Sequence, residues 1–382
     1  MDKKRYKLKE FAEPIAVTVT DPQKSCHNIF VGLEHYDSGE PVISRFSDTS
    51  LLNSSCKEFQ KNDILIARRN VYLRRAGIAP FDGLTSGDSI VLRLFEDCEE
   101  RTGFPYDVAI KVIPFVLNSN SFWLYANRHA DGMNSKRISK EKVLDYEFYL
   151  PPLAEQKVLA EKLWAAYEVK QSYLKMIEAT EKMVKSQFVE MFDGDKYHQM
   201  ELDSIAEVWL KGQAFKKDNI CEEGTNFCIH YGELFTKYGP IIYDVSSTTN
   251  DEIMKASKSG DILFPASDVT PDGLARCSAI MRDEVLLGGD IIVLRPKQGN
   301  NPEYLSWAIN MQKEQLLKRV TGSVVRHMSA KGLKTVQIPI APIDKQKQFI
   351  KIVKQADKSV IELRKSVDAI DKVIKSLINE NL

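Results

Sequence analysis

Three blocks of this sequence occur twice, in the same order, in the first and second halves of the chain. They pair residues 62–67 (NDILIA) with 260–265 (GDILFP) at an offset of 198, residues 84–93 with 286–295 at an offset of 202, and residues 138–152 with 328–342 at an offset of 190. Offsets that drift by a few residues are typical of a duplicated domain with loop insertions. Since chance similarity would not preserve the order, we predict two halves of equivalent fold.

The chemistry of the blocks predicts what each half contains. Residues 63–66 and 291–294 are short apolar runs that follow Gly, Asp or Asn, a pattern typical of buried strands after tight turns. The prolines near residues 151 and 342 precede long stretches that hold no Gly or Pro. We therefore predict a mixed α+β (α/β) fold in four segments: α/β domains at 1–150 and 194–340, and long helices at 151–193 and 341–382.

Both long helices carry an apolar seam. In the second helix the seam positions alternate by four and three residues over about four heptads, a strong coiled-coil pattern: Phe349, Val353, Ala356, Val360, Leu363, Val367, Ile370, Ile374 and Leu377. The matching positions of the first helix include three polar residues and form a weaker seam: Leu159, Leu163, Ala166, Lys170, Tyr173, Ile177, Thr180, Val184 and Gln187.

Each helix could pack on its own α/β domain or pair with the other helix. About 35 residues at 1.5 Å per residue give a rod of about 50 Å, whereas a domain of about 150 residues has a radius of gyration of about 15 Å. Because such a helix would overhang its domain, we predict that the two helices pair antiparallel. The resulting coiled coil would hold the two domains apart as a spacer.

Composition narrows the class of protein. Lys plus Arg and Asp plus Glu both number 53, so the formal net charge is zero. This argues against a protein that coats nucleic acid indiscriminately, but not against local basic patches. The chain has no run of about 18 apolar residues, and no apolar signal core follows its basic N-terminus. We expect a soluble, cytoplasmic protein with no membrane association.

Motifs for catalysis and for metal binding are missing. The sequence has no G-x-G-x-x-G, P-loop, H-E-x-x-H, G-x-S-x-G or Asn-Pro-Pro-Tyr motif, and its six histidines are dispersed. The spacing of Cys26, His27, Cys221, Cys228 and His230 matches no standard zinc pattern. We expect no catalytic residue, metal or cofactor in this chain.

An eight-residue stretch after the strand at 63–67 is rich in groups that can contact DNA. It contains Arg68, Arg69, Asn70, Tyr72, Arg74 and Arg75. Arginine can fork onto guanine edges and asparagine onto adenine, and both also hold phosphates. The second copy has residues 267–270 (SDVT) in this place. Two readers of different sequences would differ in this way, although drift would look the same and a solvated loop is the alternative.

Further polar, basic and aromatic residues occur in both halves. Before the first long helix we predict contacts from Arg128, Lys136 and Arg137, and in the second half from Lys216, Lys217, Tyr231, Lys237, Ser267, Ser323, Arg326 and His327. Gly132 and Gly322 align at the offset of 190, so both copies have a glycine turn with polar and basic residues after it. Together the clusters favour nucleic-acid contact over an ordinary solvated surface.

The sequence resembles the specificity (S) subunits of type I restriction-modification systems. The resemblance runs along nearly the whole chain and includes residues 30–36 (FVGLEHY), 62–72, 86–88, 150–156 (LPPLAEQ), 230–234 (HYGEL), 260–268, 289–295, 321–329 and 342–346 (PIDKQ). Its most specific part is the proline pair followed by an acidic residue and glutamine at the start of each long helix. The second copy departs from this pattern, with Ala341 for the first proline and Lys345 before Gln346.

The resemblance implies a non-catalytic subunit with two target recognition domains in pseudo-twofold arrangement, each reading one half of a bipartite, gapped double-stranded DNA site. It implies that the two helices set the spacing and dock two methyltransferase (M) subunits, and through them restriction (R) subunits. S-adenosylmethionine would then belong to the M subunits, and ATP with magnesium to the R subunits.

Two alternatives from other classes stay open at this point. One is a stand-alone enzyme that cleaves or modifies DNA through an unrecognised site, which activity of the purified chain alone would establish. The other is a coiled-coil scaffold with two protein-binding domains, which would fail to bind any duplex at any salt concentration even with M subunits present.

Overall fold

The computed structural model describes residues 3–133, 135–192 and 196–381. The chain divides into two compact units. The first unit is formed by Met1–Lys175 with Leu363–Leu382, and the second by Met176–Glu362. Each long helix thus contributes one half to each unit. The predicted segment boundary at 193–194 lies outside the described residues, and the four-segment division stays a prediction.

The first unit is built from short strands with small helices between them. Its strands are β1 (Lys4–Lys7), β2 (Ala12–Ile15), β3 (Thr18–Val19), β4 (Ile29–Val31), β5 (Ser47–Asp48), β6 (Cys56–Phe59), β7 (Ile64–Ala67), β8 (Ala76–Ile78), β9 (Gly83–Thr85), β10 (Ser89–Leu94) and β11 (Glu147–Leu150). Its helices are α1 (Cys98–Thr102), α2 (Tyr106–Val116), α3 (Asn120–His129), α4 (Lys140–Leu144) and the first half of α5 (Leu153–Phe192).

The second unit has the same make-up. Its strands are β12 (Gln199–Glu201), β13 (Ala206–Lys211), β14 (Asn226–Ile229), β15 (Ile241–Ile242), β16 (Thr248–Thr249), β17 (Asp261–Pro265), β18 (Ser267–Asp268), β19 (Ser278–Ile280), β20 (Leu286–Leu287), β21 (Ile291–Pro296), β22 (Arg326–His327) and β23 (Gln337–Pro339). Its helices are α6 (Leu202–Ile205), α7 (Glu233–Thr236), α8 (Pro271–Leu274), α9 (Pro302–Asn310), α10 (Lys313–Leu317), α11 (Ala330–Lys334) and the first half of α12 (Ile343–Asn381).

The strand order confirms the duplication. The main sheet runs β2-β10-β7-β8 in the first unit and β13-β21-β17-β19-β15 in the second. In both units a parallel pair lies in a second sheet, β4 with β9 and β14 with β20. In both, an antiparallel pair links the start of the unit to its end, β1 with β11 and β12 with β23.

An ion pair with a buried aspartate recurs in the repeated block around residue 63 and its copy. Asn62 and Gly260 have positive φ values of 74° and 96°, a backbone conformation that asparagine and glycine tolerate. The turn directs the next residue, an aspartate, into the unit. Asp63 accepts two hydrogen bonds from the Arg93 guanidinium at 2.8 and 2.7 Å, and Asp261 accepts two from Arg295 at the same distances. Both partners of each pair lie within the repeated blocks.

The start of each long helix is fixed by its glutamine. The Gln156 side chain is 1% exposed and donates to the Pro151 carbonyl at 2.8 Å. Gln346 is equally buried and donates to the Ala341 carbonyl at 2.8 Å. The two helices therefore begin with the same local structure, although the second copy lacks the first proline.

The long helices pair in opposite directions, as predicted. In the first unit, the Lys170 ammonium of α5 lies 2.7 Å from the Asp371 carboxylate of α12, and Leu163 shares a buried cluster with Ile378. In the second unit, the rings of Phe192 and Phe349 are 5.5 Å apart. The predicted seam positions of both helices are buried or half-buried. The mixed α+β fold class and the antiparallel helical pairing are confirmed.

The helices also pack on the α/β part of each unit. Ala160 and Trp164 contact the core of the first unit, and Phe188, Phe349 and Val353 belong to the core of the second. Pairing and packing on the domains, weighed as alternatives from the sequence, therefore occur together. In the part of the chain that the structure describes, no helix is long and apolar enough to span a membrane.

Candidate nucleic-acid interface

The predicted contact loops are held by one backbone framework in both units. In the first unit, the Arg68 amide donates to the Asp88 carbonyl at 3.0 Å, and the Ile138 amide donates to the Arg68 carbonyl at 3.0 Å. In the second unit, Ala266 occupies the position of Arg68. Its amide donates to the Asp290 carbonyl at 2.8 Å, and its carbonyl accepts from the Met328 amide at 2.9 Å.

The glycine turns close the same framework. Gly132 and Gly322 have positive φ values of 107° and 95°. A pair of backbone hydrogen bonds closes each turn, between Asp131 and Arg137 and between Thr321 and His327. A Cβ atom on Gly322 would lie 2.2 Å from the backbone carbonyl oxygen of Val325, so the turn requires glycine.

Three arginine side chains of the first unit surround one carboxylate. The Asp88 carboxylate lies 3.7 Å from Arg68, 3.9 Å from Arg69 and 3.3 Å from Arg137. The cluster therefore has two positive charges in excess. Arg69 also donates to the Ser135 hydroxyl at 2.8 Å. Ser135 in turn donates to the Asn70 side-chain oxygen at 3.2 Å. We call these residues the Asp88 cluster.

The remaining predicted residues of the loop have different surroundings. Asn70 and Arg74 adopt left-handed conformations at either end of the 3₁₀ turn Val71–Leu73, whose Tyr72 is 59% exposed. Arg74 donates to the Asn120 side chain at 2.8 Å. Arg75 is half-buried and donates to the carbonyls of Leu33 and Arg69, so it anchors the loop from inside.

The other two basic residues predicted in this unit lie at the surface. Lys136 is exposed, and its backbone carbonyl accepts from the Asn70 amide at 2.8 Å, which places it beside the Asp88 cluster. Arg128 is exposed in the last turn of α3. Among the described residues, none of the contacts found joins Arg128 to the Asp88 cluster.

Sequence reasoning missed Asp88, Lys57 and Lys140. Together with Arg68 and Arg137, the two lysines line a cleft of about 500 Å³ at the edge of the Asp88 cluster, which Asp131 and Glu141 also line. Burial, followed by the nearby charges of Arg68 and Lys140, lowers the pKa of Lys57. The four basic groups outnumber these two carboxylates, so the cleft keeps an excess of positive charge that favours an anion. Asp88 sits in the repeated Gly-Asp block, which was the one available signal, but an acidic residue is not itself a sign of DNA contact.

The equivalent surface of the second unit has a different chemistry. Ser267 pairs with His327, and their side chains approach to 3.3 Å, where the first unit has Arg69 and Arg137. The Arg326 guanidinium donates back to the Gly322 carbonyl at 2.8 Å. Ser323 is exposed in the turn.

The lysine and tyrosine residues predicted in the second unit separate into two groups. Lys216 and Tyr231 line a cleft of about 490 Å³ with Asp290, the residue that accepts from the Ala266 amide. Lys217 begins a 3₁₀ turn directly after Lys216. Lys237 is instead bound within the unit.

Lys237 has an internal role. Its ammonium lies 3.0 Å from the Glu233 carboxylate and donates to the Ser247 hydroxyl at 2.7 Å. Burial opposes its charge, but the hydrogen bond and attraction to Glu233 outweigh this and raise the pKa of Lys237. An ammonium held in this way is less available to a ligand.

The comparison with known proteins addresses the second half of the chain most directly. Residues 194–370 match the family model described as Type I restriction modification DNA specificity domain. The resemblance to type I specificity subunits is confirmed. The specificity domain matched by the model includes the glycine turn at Gly322, the Ser267–His327 pair and most of α12.

Individual relatives agree with the family model. A curated protein of Methanocaldococcus jannaschii, described as a putative type I restriction enzyme MjaX specificity subunit, is 23% identical over 270 residues. The match covers 65% of this chain and 61% of that relative. This chain therefore spans less than two thirds of the relative's length.

Two solved structures share the fold over almost the whole chain. One is described as a type I restriction-modification system S subunit from M. genitalium, with 14% identity, coverage of 99% and 95% of the two chains, and a TM-score of 0.55. The other, described in terms of complex assembly and conformational transition of the type I R-M system, has 15% identity, coverage of 99% and 97%, and a TM-score of 0.55.

In the residues that the structure describes, no group of three or more His, Cys, Asp or Glu side chains is arranged to hold a metal ion.

Proposed function

We propose that this chain is the DNA-reading subunit of a type I restriction-modification complex and catalyses no reaction itself. Each unit would read one half of a gapped double-stranded DNA site. The observation that carries the proposal is the common backbone framework with unlike side chains: Arg69 and Arg137 in one unit, Ser267 and His327 in the other. A shared framework positions the same loops, and unlike side chains then specify unlike bases.

The Asp88 cluster supports base reading in the first unit. A carboxylate that lies among three guanidinium groups limits their rotation, and a preorganised side chain loses less entropy when it binds. Arg69 and Arg137 are about half exposed, with 45% and 46% of their side-chain surface accessible, so their free N–H groups can reach a ligand. The cleft with Lys57 and Lys140 would hold the adjacent phosphates.

The partner subunits would bind the outer surface of the long helices. A second apolar stripe lies on α5, where Val169, Met176 and Met183 recur every seven residues and are 44%, 52% and 46% exposed. Exposed apolar side chains at helical spacing are a feature of docking surfaces. We propose two M subunits, because the duplication provides the same helix start twice, with R subunits joining through them. S-adenosylmethionine would bind the M subunits, and ATP with magnesium the R subunits.

Selection of duplexes from a randomised pool by the full-length chain tests the proposal, with its M subunits present in a second arm. We expect a site of two unlike parts separated by a gap of fixed length. The double variant Arg69→Ala/Arg137→Ala should lose the sequence preference of one part only, at about 1–3 kcal/mol for each good bidentate contact removed. Enrichment is read by sequencing the bound pool.

Arg101→Ala is the matched control, since Arg101 lies in the same unit, is 45% exposed and pairs with Asp97 away from the Asp88 cluster. It should leave both parts of the selected site unchanged. Selection of a single undivided motif, or equal loss of both parts in the double variant, would contradict the proposal. No enrichment in either arm would favour the scaffold alternative.

The docking surface is tested by co-purification with the M subunit of the same system. The double variant Met176→Lys/Met183→Lys places two charges in the proposed contact and should weaken association at least about tenfold. Glu178→Lys, on the same helix at an exposed position, should have little effect. Undiminished co-purification of the methionine variant would show that the M subunit binds elsewhere.

A further inference from the structure

Three exposed valines lie beside the β18–β22 ladder in the contact loops of the second unit. Val269, Val324 and Val325 are 72%, 81% and 47% exposed. Val269 directly follows β18, and Val325 directly precedes β22. Because Asp268 pairs with Arg326 in the antiparallel ladder, Val269 and Val325 follow from this pair at the same end of the ladder. Isolated exposed valines are ordinary, but three beside one ladder form a small apolar surface.

The polar side chains around Val269 are already engaged. One Asp268 carboxylate oxygen accepts from the Val269 amide at 2.7 Å, and the other accepts from the Thr270 hydroxyl at 2.6 Å. Thr270 also accepts from the Gly273 amide at 3.3 Å. These hydrogen bonds fix the conformation of the loop. The exposed Val269 side chain thus lies between Asp268 and Thr270, whose side chains are already hydrogen-bonded.

The turn on the other side is fixed in a similar way. The Arg326 guanidinium folds back onto the Gly322 carbonyl, and its Nε is buried. The hydrogen bonds between Thr321 and His327 close the turn, so Val324 and Val325 are held at its tip. An apolar surface held in place before binding loses little conformational entropy when it is covered.

This chemistry selects one feature of DNA. In the major groove the bases present hydrogen-bond donors and acceptors, and thymine alone adds an apolar group, its C5-methyl. The first unit instead has Arg69, Asn70 and Arg137 in the equivalent loops, which suit hydrogen bonds to guanine and adenine. We propose that Val269, Val324 and Val325 contact thymine methyl groups in the half-site read by the second unit. This inference rests on the proposed function.

Uracil interference tests the contact, since uracil differs from thymine only by the missing methyl. Duplexes selected by the full-length chain are amplified with partial replacement of thymidine by deoxyuridine, bound again, separated into bound and free fractions, and cleaved at uracil. We expect deoxyuridine to be depleted from the bound fraction in one half-site only. The depletion should be about fourfold for each methyl group that leaves an apolar contact.

Substitutions in the protein complete the test. The triple variant Val269→Ser/Val324→Ser/Val325→Ser should bind thymine- and uracil-containing duplexes equally well, with an unchanged thermal unfolding profile because all three side chains are exposed. Met254→Ser is the matched control, since Met254 is also 72% exposed in this unit but in another loop. It should retain the preference for thymine.

The outcomes separate this inference from the proposed function. A two-part site without thymine in the second unit's half, or with no depletion of deoxyuridine there, would overturn the methyl contact while the DNA-reading role stands. Depletion that persists in the triple valine variant would overturn it as well. An apolar wedge between base steps would tolerate uracil and raise 2-aminopurine fluorescence at the step. Failure to select any duplex would instead refute the proposed function.

Discussion

Replacing Asp261 by alanine is expected to destabilise the second unit by about 3 kcal/mol. The Asp261 side chain is 1% exposed and accepts two hydrogen bonds from Arg295, whose side chain is 18% exposed. Removal of one partner leaves the other charge largely buried without compensation, which costs about 3–5 kcal/mol for a fully buried pair. The lower end applies because part of the guanidinium reaches solvent. Urea unfolding of the full-length chain measures the change.

Two further variants decide whether the charge or the packing is responsible. Asp272→Ala removes an exposed pair in the same unit, 3.2 Å from Lys313, and should cost less than about 1 kcal/mol. Asp261→Leu/Arg295→Met replaces both charges with apolar groups and should recover the part of the loss that comes from the unpaired Arg295 charge. The hydrogen bond that the Lys258 amide donates to Asp261 at 2.8 Å stays lost in both variants. If Asp261→Ala costs no more than Asp272→Ala, the pair is not a main source of stability in this unit.

The repeated blocks were predictable because their chemistry is local. A residue that tolerates positive φ, an aspartate and a run of apolar residues are adjacent in sequence, so Asn62–Asp63 and Gly260–Asp261 were recognisable as one turn-and-strand motif. The ion pairs they form were not predicted. Arg93 lies 30 residues from Asp63, and only the strand pairing of β7 with β10 brings them together.

The candidate site shows the same limit at the level of single residues. The basic loop after residue 67 was found from its composition, but composition does not show that Arg75 points inward or that Lys237 is bound to Glu233. Nor does it show that Asp88 organises Arg69 and its neighbours, because the carboxylate comes from another turn. Which arginines are available to a ligand depends on these long-range contacts.

The seam position of Lys170 was predicted from the sequence, but the ion pairs of its side chain were not. Its place in the seam of α5 indicated a weaker coiled coil. The side chain is buried and forms ion pairs with Asp371 of α12 and with Glu40 of the first unit. A single buried polar residue at a seam position can specify helix register. The position therefore contributes to the alignment of the helices, and its partners lie too far away in sequence to be predicted.

Lengthening both long helices by one heptad should change the gap between the two halves of the recognised site. The inserts belong after Ile177 in α5 and after Leu363 in α12. Lys170 faces Asp371 in the first unit, and Phe192 packs on Phe349 in the second. The interval 170–192 of α5 and the interval 349–371 of α12 therefore contain the same number of residues. Inserts at facing positions keep both contacts. An insert in one helix alone would displace one of them and should abolish binding at every gap.

The size of the change follows from helix geometry. Seven residues add about 10 Å to an α-helix, the length of about 3 base pairs at about 3.4 Å each. We expect selection by this variant to yield a gap longer by about 3 base pairs. Affinity for the original site should fall by about 10²-fold or more, since two half-sites that cannot be engaged together lose the advantage of linkage. An unchanged gap would contradict the spacer role of the helices.

The twist of DNA makes the test more stringent. Three base pairs rotate the second half-site by about 100°, because one turn takes about 10.5 base pairs, whereas a heptad advances the helix face by only about 20°. One inserted heptad therefore matches the added length of DNA but not its rotation. We expect the variant to bind its best site more weakly than the unmodified chain binds the original site. Three inserted heptads add about 31 Å, close to one DNA turn. They should restore much of the affinity at a gap longer by about 9 base pairs. A spacer that sets distance through a rigid helical pair requires this return of affinity, whereas a flexible tether would show a smooth decline with length.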